Sequence, residues 1–160
     1  MPIKVGTAVP DVKIKTMVDG KMQDVSTGAL FKGKKAVLFA VPGAFTPTCS
    51  MQHLPGFVAK AKEIKAKGVD LIACISVNDA FVMDCWGKDR NVGDDVMMLA
   101  DGNADFAKAM GLEMDGKGIG FGTRSQRYAA IIDNGVVKAL HVEAPMKFEV
   151  SSAEAILAKL

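Results

Sequence analysis

The sequence predicts one α/β domain over residues 1–160, built as a mixed central sheet with helices on both faces. Three observations carry this. Two near-continuous apolar runs, residues 35–41 ("KAVLFAV") and 69–77 ("VDLIACISV"), read as strands covered on both sides, since a strand with one wet face would alternate. The segment between them has apolar residues at helical spacing. Later, Asp133-Asn134-Gly135 divides another apolar stretch into a hairpin. Strand–helix–strand first, then hairpin and final helix, puts parallel and antiparallel neighbours into one sheet.

The elements follow in order. Residues 11–25 alternate loosely around Asp19-Gly20, a favoured hairpin dipeptide, and Ser26 can cap a short helix over "STGALF". The strand at 35–41 must stop before Pro42-Gly43, because proline lacks the N–H that a sheet interior needs. Pro47 suits a first helical turn, where that N–H is not required, so a helix should run from Pro47 to about Lys67 and stop at Gly68. Phe57, Ala61, Ile64 and Ala66 form its apolar face, and Pro55 should kink or break it. After the strand at 69–77, Asn78 or Asp79 caps a helix over "AFVMDCWGKDR". "VMMLAD" is a short strand and "NADFAKAMG" a short helix closed by Gly111. "RYAAIIDNGVVKALHVE" holds the two hairpin strands, and "SSAEAILAKL" is a terminal helix with Ser151 or Ser152 as its cap.

Composition narrows the function classes. With 49% hydrophobic and 24% charged residues among 160, the chain is globular in balance. The net charge of +2 comes from scattered basic residues without interleaved aromatics, so no nucleic-acid surface is expected. No apolar run approaches the roughly 20 residues of a membrane span. "MPIKVGTAVP" has neither a signal core nor an amphipathic leader, which points to the cytoplasm, or to an organelle if a leader has been removed. Cys49, Cys74 and Cys85 are too few for a disulfide framework.

Most motifs dissolve on inspection. "GKGIGFG" (116–122) matches no phosphate-binding spacing and reads as a flexible loop. "DGNAD" starts like a calcium loop but places Phe106 at the required glycine and Leu112 at the bidentate glutamate. Cys49 and His53 share a helical face, yet no second pair completes a zinc site, so neither metal nor cofactor is expected. Cys74 in its strand and Cys85 beside Trp86 read as small buried hydrophobes. Cys49 is different. It falls in the first turn of a helix, where backbone N–H groups and the helix dipole favour a thiolate. Thr46 can offer the sulfur a hydroxyl, and Pro42 can shield it from bulk water.

Pro42-x-x-x-Thr46-x-x-Cys49 resembles the active-site motif of the peroxiredoxins, and "VPGAFTPTCSMQHLPGFV" resembles their type II, peroxiredoxin-5-like subfamily. "ISVNDAFVMDCW" and "DNGVVKALHVE" extend the resemblance over nearly the whole chain. It implies a thioredoxin-like fold, thiol-dependent peroxidase activity, and a homodimer. It assigns Cys49 as the peroxidatic cysteine, Thr46 as its hydroxyl partner and Pro42 as its shield. The subfamily also needs an arginine entering the strand that faces the site. In "FGTRSQRYAAII" this is Arg127, with Arg124 the alternative, whose side chain is expected to point away from the Cys49 loop.

Such chemistry converts the thiolate to a sulfenic acid while hydrogen peroxide or an alkyl hydroperoxide is reduced. Animal relatives of this subfamily carry a resolving cysteine near the C-terminus, and residues 86–160 contain none. Plant-like members have a second cysteine where Cys74 stands, but its burial favours an external thiol, either glutathione with glutaredoxin or thioredoxin. Two other readings use the same cysteine. A thioredoxin-type disulfide oxidoreductase would want C-x-x-C, and Cys49 has Thr46 and Gln52 at those offsets. A peroxide sensor or chaperone-like protein would be oxidised without turnover.

Overall fold

In the central strand at 35–41, Val37, Phe39 and Val41 pack into one hydrophobic cluster while Ala36, Leu38 and Ala40 pack into another. Successive side chains of a strand point to opposite faces, so this alternation means that the sheet is covered on both sides. The computed structural model describes residues 1–160. Its elements are β1 (Lys13–Val18), β2 (Lys21–Ser26), α1 (Thr27–Phe31), β3 (Lys35–Val41), a π-helical turn (Cys49–His53) leading into α2 (Leu54–Ala66), β4 (Leu71–Ser76), α3 (Ala80–Asp89), β5 (Met97–Ala100), α4 (Asp105–Ala109), β6 (Glu113–Asp115), a 3₁₀ turn (Lys117–Ile119), β7 (Thr123–Ser125), β8 (Tyr128–Asp133), β9 (Val136–Val142) and α5 (Ala153–Leu157).

Seven strands form one sheet in the order β2-β1-β5-β4-β3-β8-β9. β3, β4 and β5 are parallel, and antiparallel pairs flank them on both sides. On one face α2, α3 and α5 contribute Phe57, Met83, Trp86 and Ile156; on the other, α1 and α4 contribute Phe31 and Phe106. The mixed sheet with helices on both faces is therefore present. Both predicted hairpins form, with Asp19-Gly20 and Asn134-Gly135 at positive φ as a tight two-residue turn requires. Ser26, Asp79 and Ser152 accept the capping hydrogen bonds of their helices.

Three local expectations change. Pro55 neither breaks nor stops its helix. It has no N–H to give the carbonyl four residues back, and the turn before it widens, so that Leu54 N–H reaches Cys49 O in an i→i+5 bond. The helix therefore runs on through the proline. Residues 116–122 are not a free loop either: they close a small antiparallel ribbon of β6 and β7, with Gly116 N–H donating to Gly122 O and Phe121 N–H to Gly116 O. Finally, Cys85 is exposed, not buried. α3 buries Ala80, Met83, Trp86 and Gly87, a stripe three to four residues apart that Cys85 misses.

Candidate active site

The parallel strands β3 and β4 end side by side, and the loop leaving β3 is held by its neighbour. Asn78, just beyond β4, accepts from Ala44 N–H at 3.0 Å and from the Ser76 hydroxyl at 2.6 Å. Arg124 on β7 donates from Nη1 to Pro42 O at 3.1 Å, and its guanidinium lies over the Phe121 ring. Phe45 is forced to φ 64°, a left-handed conformation that a bulky residue adopts only under constraint. This reversal carries the chain into the helix that begins at Pro47 and presents Cys49 in the first turn. First-turn N–H groups have no partner within the helix, so those at Thr48 and Cys49 remain available for an anion. Behind the cysteine, Trp86 donates its indole N–H to the Ser50 hydroxyl at 2.9 Å and fixes the turn.

Cys49 is fully buried. Arg127, entering β8, places Nη2 at 3.1 Å from the Cys49 sulfur. Its other terminal nitrogen, Nη1, lies 2.9 Å from His53 Nδ1, one helical turn beyond the cysteine. His53 is itself buried, stands 2.9 Å from Ser151 O through Nε2, and packs edge-on against Phe148 at 5.0 Å. Burial, reinforced by the Arg127 charge, lowers the His53 pKa from its ordinary 6.5 to about 3, so the ring is neutral at physiological pH.

The strap from 143 to 151 that supplies Phe148 and Ser151 is organised by one side chain. The Glu143 carboxylate accepts from the backbone N–H groups of Glu149, Val150 and Ser151 and from the Ser151 hydroxyl. Burial pushes its pKa up, but the Ser151 hydroxyl and the three backbone donors outweigh this and hold it below the usual carboxylate range. Glu143 N–H also donates to Arg127 O at 2.9 Å, which ties the strap to the arginine.

Of the residues singled out in the sequence, Arg127 reaches the Cys49 sulfur, and Pro42 lines the same cleft as Arg127. Two details differ. The Thr46 hydroxyl donates to Gly43 O at 2.7 Å rather than to the sulfur, because the turn at Phe45 folds Thr46 back over Gly43. What it offers an incoming molecule is its lone pair. Arg124 does not point away from the loop: it grips the Pro42 carbonyl from the opposite side. Cys74 lies fully buried in β4, paired in register with Phe39, and burial pushes its thiol well above the ordinary cysteine value. Sequence reasoning missed the roles of Asn78, Glu143, Phe148 and Ser151. His53 gave a signal, since i and i+4 share a helix face, but that signal reads as half a metal site.

A cleft of about 520 Å³ opens beside this cluster, lined by Pro42, Thr48 and Arg127 among others. Phe121, Met146 and Phe148 make its outer walls largely apolar. The geometry is a buried sulfur under a guanidinium, at a helix start, next to an open cleft.

Comparison with known proteins places this site in context. The family described as Redoxin matches residues 4–157. Peroxiredoxin-2E, chloroplastic, of Arabidopsis thaliana is 51% identical over 99% of this chain and 69% of its own length. Peroxiredoxin-2C of the same plant is 49% identical over 99% of both chains. The crystal structure of reduced Prx3 in complex with H2O2 from Vibrio vulnificus superposes with a TM-score of 0.95 at 58% identity, covering 98% of each chain.

Proposed function

The chain belongs to the peroxiredoxin family and is a thiol-dependent peroxidase of thioredoxin-like fold, and from that premise we propose that Cys49 is its peroxidatic cysteine. One observation carries the assignment: the sulfur at the helix start has a guanidinium nitrogen 3.1 Å away. The Cys49 thiolate attacks one oxygen of a hydroperoxide in line with the O–O bond. An S–O bond forms, the O–O bond breaks, and the leaving hydroxide or alkoxide takes up a proton. Sulfur is oxidised to sulfenic acid and the peroxide is reduced.

In this reading charge passes from sulfur to oxygen, and donors fixed in advance around that path lower the barrier. Arg127 Nη2 and the first-turn N–H groups are those donors. The Thr46 oxygen, its own proton committed to Gly43, accepts a hydrogen bond from the incoming hydroperoxide and so orients it, and the hydroperoxide's own proton passes to the leaving oxygen. Pro42 walls the entrance. Hydrogen peroxide needs only the inner end of the cleft, and alkyl hydroperoxides extend along its apolar walls.

The sulfenic acid is reduced by an external thiol, glutathione with glutaredoxin or thioredoxin. The burial of Cys74 supports this choice over an internal disulfide. A homodimer and a cytoplasmic setting complete the proposal, with an organelle the other setting because two of the relatives are chloroplastic.

The test is the second-order rate constant for peroxide with fully reduced protein, which no choice of reductant can disturb. Cys49→Ser should abolish the reaction with the fold intact, since no other nucleophile lies at the site. Arg127→Lys should lower the rate by about a hundredfold to a thousandfold, the usual effect of losing one preorganised donor. Substantial turnover by Cys49→Ser would overturn the assignment of the nucleophile.

A further inference from the structure

Each nitrogen of the buried His53 ring has one polar neighbour, and the chemistry of the two neighbours fixes the tautomer. A carbonyl oxygen can only accept, so Nε2 carries the hydrogen and donates to Ser151 O. A guanidinium can only donate, so Nδ1 is bare and accepts from Arg127 Nη1. One neutral tautomer satisfies both. The rest of the ring's surroundings is aromatic, with Phe39, Phe57 and Phe148 at centroid distances of 4.9, 5.6 and 5.0 Å. Arg127 itself lies over the Phe148 ring. None of these side chains offers Nη1 a strong acceptor. The guanidinium is a rigid planar fork, so holding Nη1 decides where Nη2 points.

We infer that His53 is a positioning residue for the peroxidase reaction: its Nδ1 pins one terminal nitrogen of Arg127 so that the other meets the Cys49 sulfur and the peroxide beside it. The inference rests on the proposed role of Arg127 at that sulfur. The C-terminal strap takes part indirectly. Its Ser151 carbonyl selects the Nε2–H tautomer, and without that partner the ring could carry its hydrogen on Nδ1 and turn a donor against a donor.

Two substitutions separate positioning from mere packing. His53→Asn puts a carbonyl oxygen where Nδ1 stands and keeps an acceptor for Arg127. His53→Gln reaches the Nε2 position and keeps a donor for Ser151, but leaves Arg127 without its partner. Positioning predicts that the Gln variant loses up to about a hundredfold in the second-order rate with peroxide, the scale of an ångström-level misplacement. The Asn variant should retain most of the rate. In an Arg127→Lys background, His53→Gln should add almost nothing, because residues that act through one another are not additive.

Equal rates for the two variants, or a full His53→Gln effect on top of Arg127→Lys, would overturn the inference. If Arg127→Lys alone leaves the rate unchanged, the reading of the site fails instead, and the two failures are told apart by that one variant. Should neither His53 variant fold, the imidazole ¹⁵N shifts of the unaltered protein decide. An Nε2–H ring with a bare Nδ1 supports the arrangement, and an Nδ1–H ring or an imidazolium at neutral pH refutes it.

Discussion

A neutral histidine beside a permanent cation makes the site's hydrogen bonds, and part of the protein's stability, sensitive to acid. The folded His53 ring takes a proton only near pH 3, whereas an unfolded chain takes it near 6.5. Between those values the unfolded state binds more protons, so stability rises with pH and is lost as pH falls from about 6.5 toward 3. The slope is about 1.4 kcal/mol per pH unit, appreciable against the total stability of roughly 5–15 kcal/mol of an ordinary domain. Glu143 acts with the same sign further down, where its depressed pKa makes protonation of the carboxylate unfavourable to the fold. Urea unfolding at about pH 7 and pH 5 should therefore show a clear drop for the unaltered protein, and a much flatter response for His53→Asn. Equal midpoints at the two pH values in the unaltered protein would mean that the folded ring is accessible to protons.

At the level of elements, the strap between β9 and α5 stands out because it has almost no regular structure of its own. Its shape comes from one carboxylate receiving four donors, and its apolar tip carries Met146 into solvent. Glu143→Gln keeps the size but replaces one oxygen with an NH₂ that cannot accept. The remaining amide oxygen is an uncharged, weaker acceptor for the four donors and the new NH₂ faces the Glu149 N–H, so bonds to a charged group, worth about 1.5–3 kcal/mol each, are weakened. The variant should show a lowered urea midpoint and faster amide exchange at 149–151, and unchanged exchange there would show that other contacts shape the strap. Nothing in "HVEAPMKFEVSS" announces this arrangement, because a side chain accepting from backbone six to eight residues on leaves no periodic trace. By contrast β3, β4 and both hairpins were legible, since buried strands and Asx-Gly turns are encoded locally. The Cys49 turn was legible through Pro47 alone. Its π geometry was not, because Pro55 signals an obstacle without saying whether a helix will bend, stop or widen. The direction of the Thr46 hydroxyl and the grip of Arg124 on Pro42 depend on a positive φ at Phe45, a value that sequence gives no reason to assign to phenylalanine.

For the molecule as a whole, the question is how the oxidised sulfur is returned to a thiol, and the position of β4 in the sheet bears on it. Cys74 lies between β3 and β5, hydrogen-bonded in parallel register on both edges, with Phe39 opposite it on one side and Met98 on the other. Its side chain belongs to the same hydrophobic cluster as Cys49, yet reaching bonding geometry requires Cα atoms within about 7 Å and side chains that face one another. Strand residues bonded on both edges cannot shift without opening the sheet, the part of a fold that exchanges most slowly. The thiol is also held protonated by burial, and only a thiolate attacks. Both arguments support the proposed external thiol over resolution by Cys74. Cys85 faces solvent on the outer side of α3, away from the stripe that packs inward. The expected product of one equivalent of peroxide is thus a sulfenic acid on Cys49, which glutathione converts to a mixed disulfide visible by mass spectrometry. Cys74→Ala should leave turnover with an external thiol close to that of the unaltered protein, and should lose stability only by the small cavity it creates. A Cys49–Cys74 disulfide formed as fast as peroxide is consumed, or a collapse of turnover in Cys74→Ala at unchanged stability, would require β4 to open during every cycle.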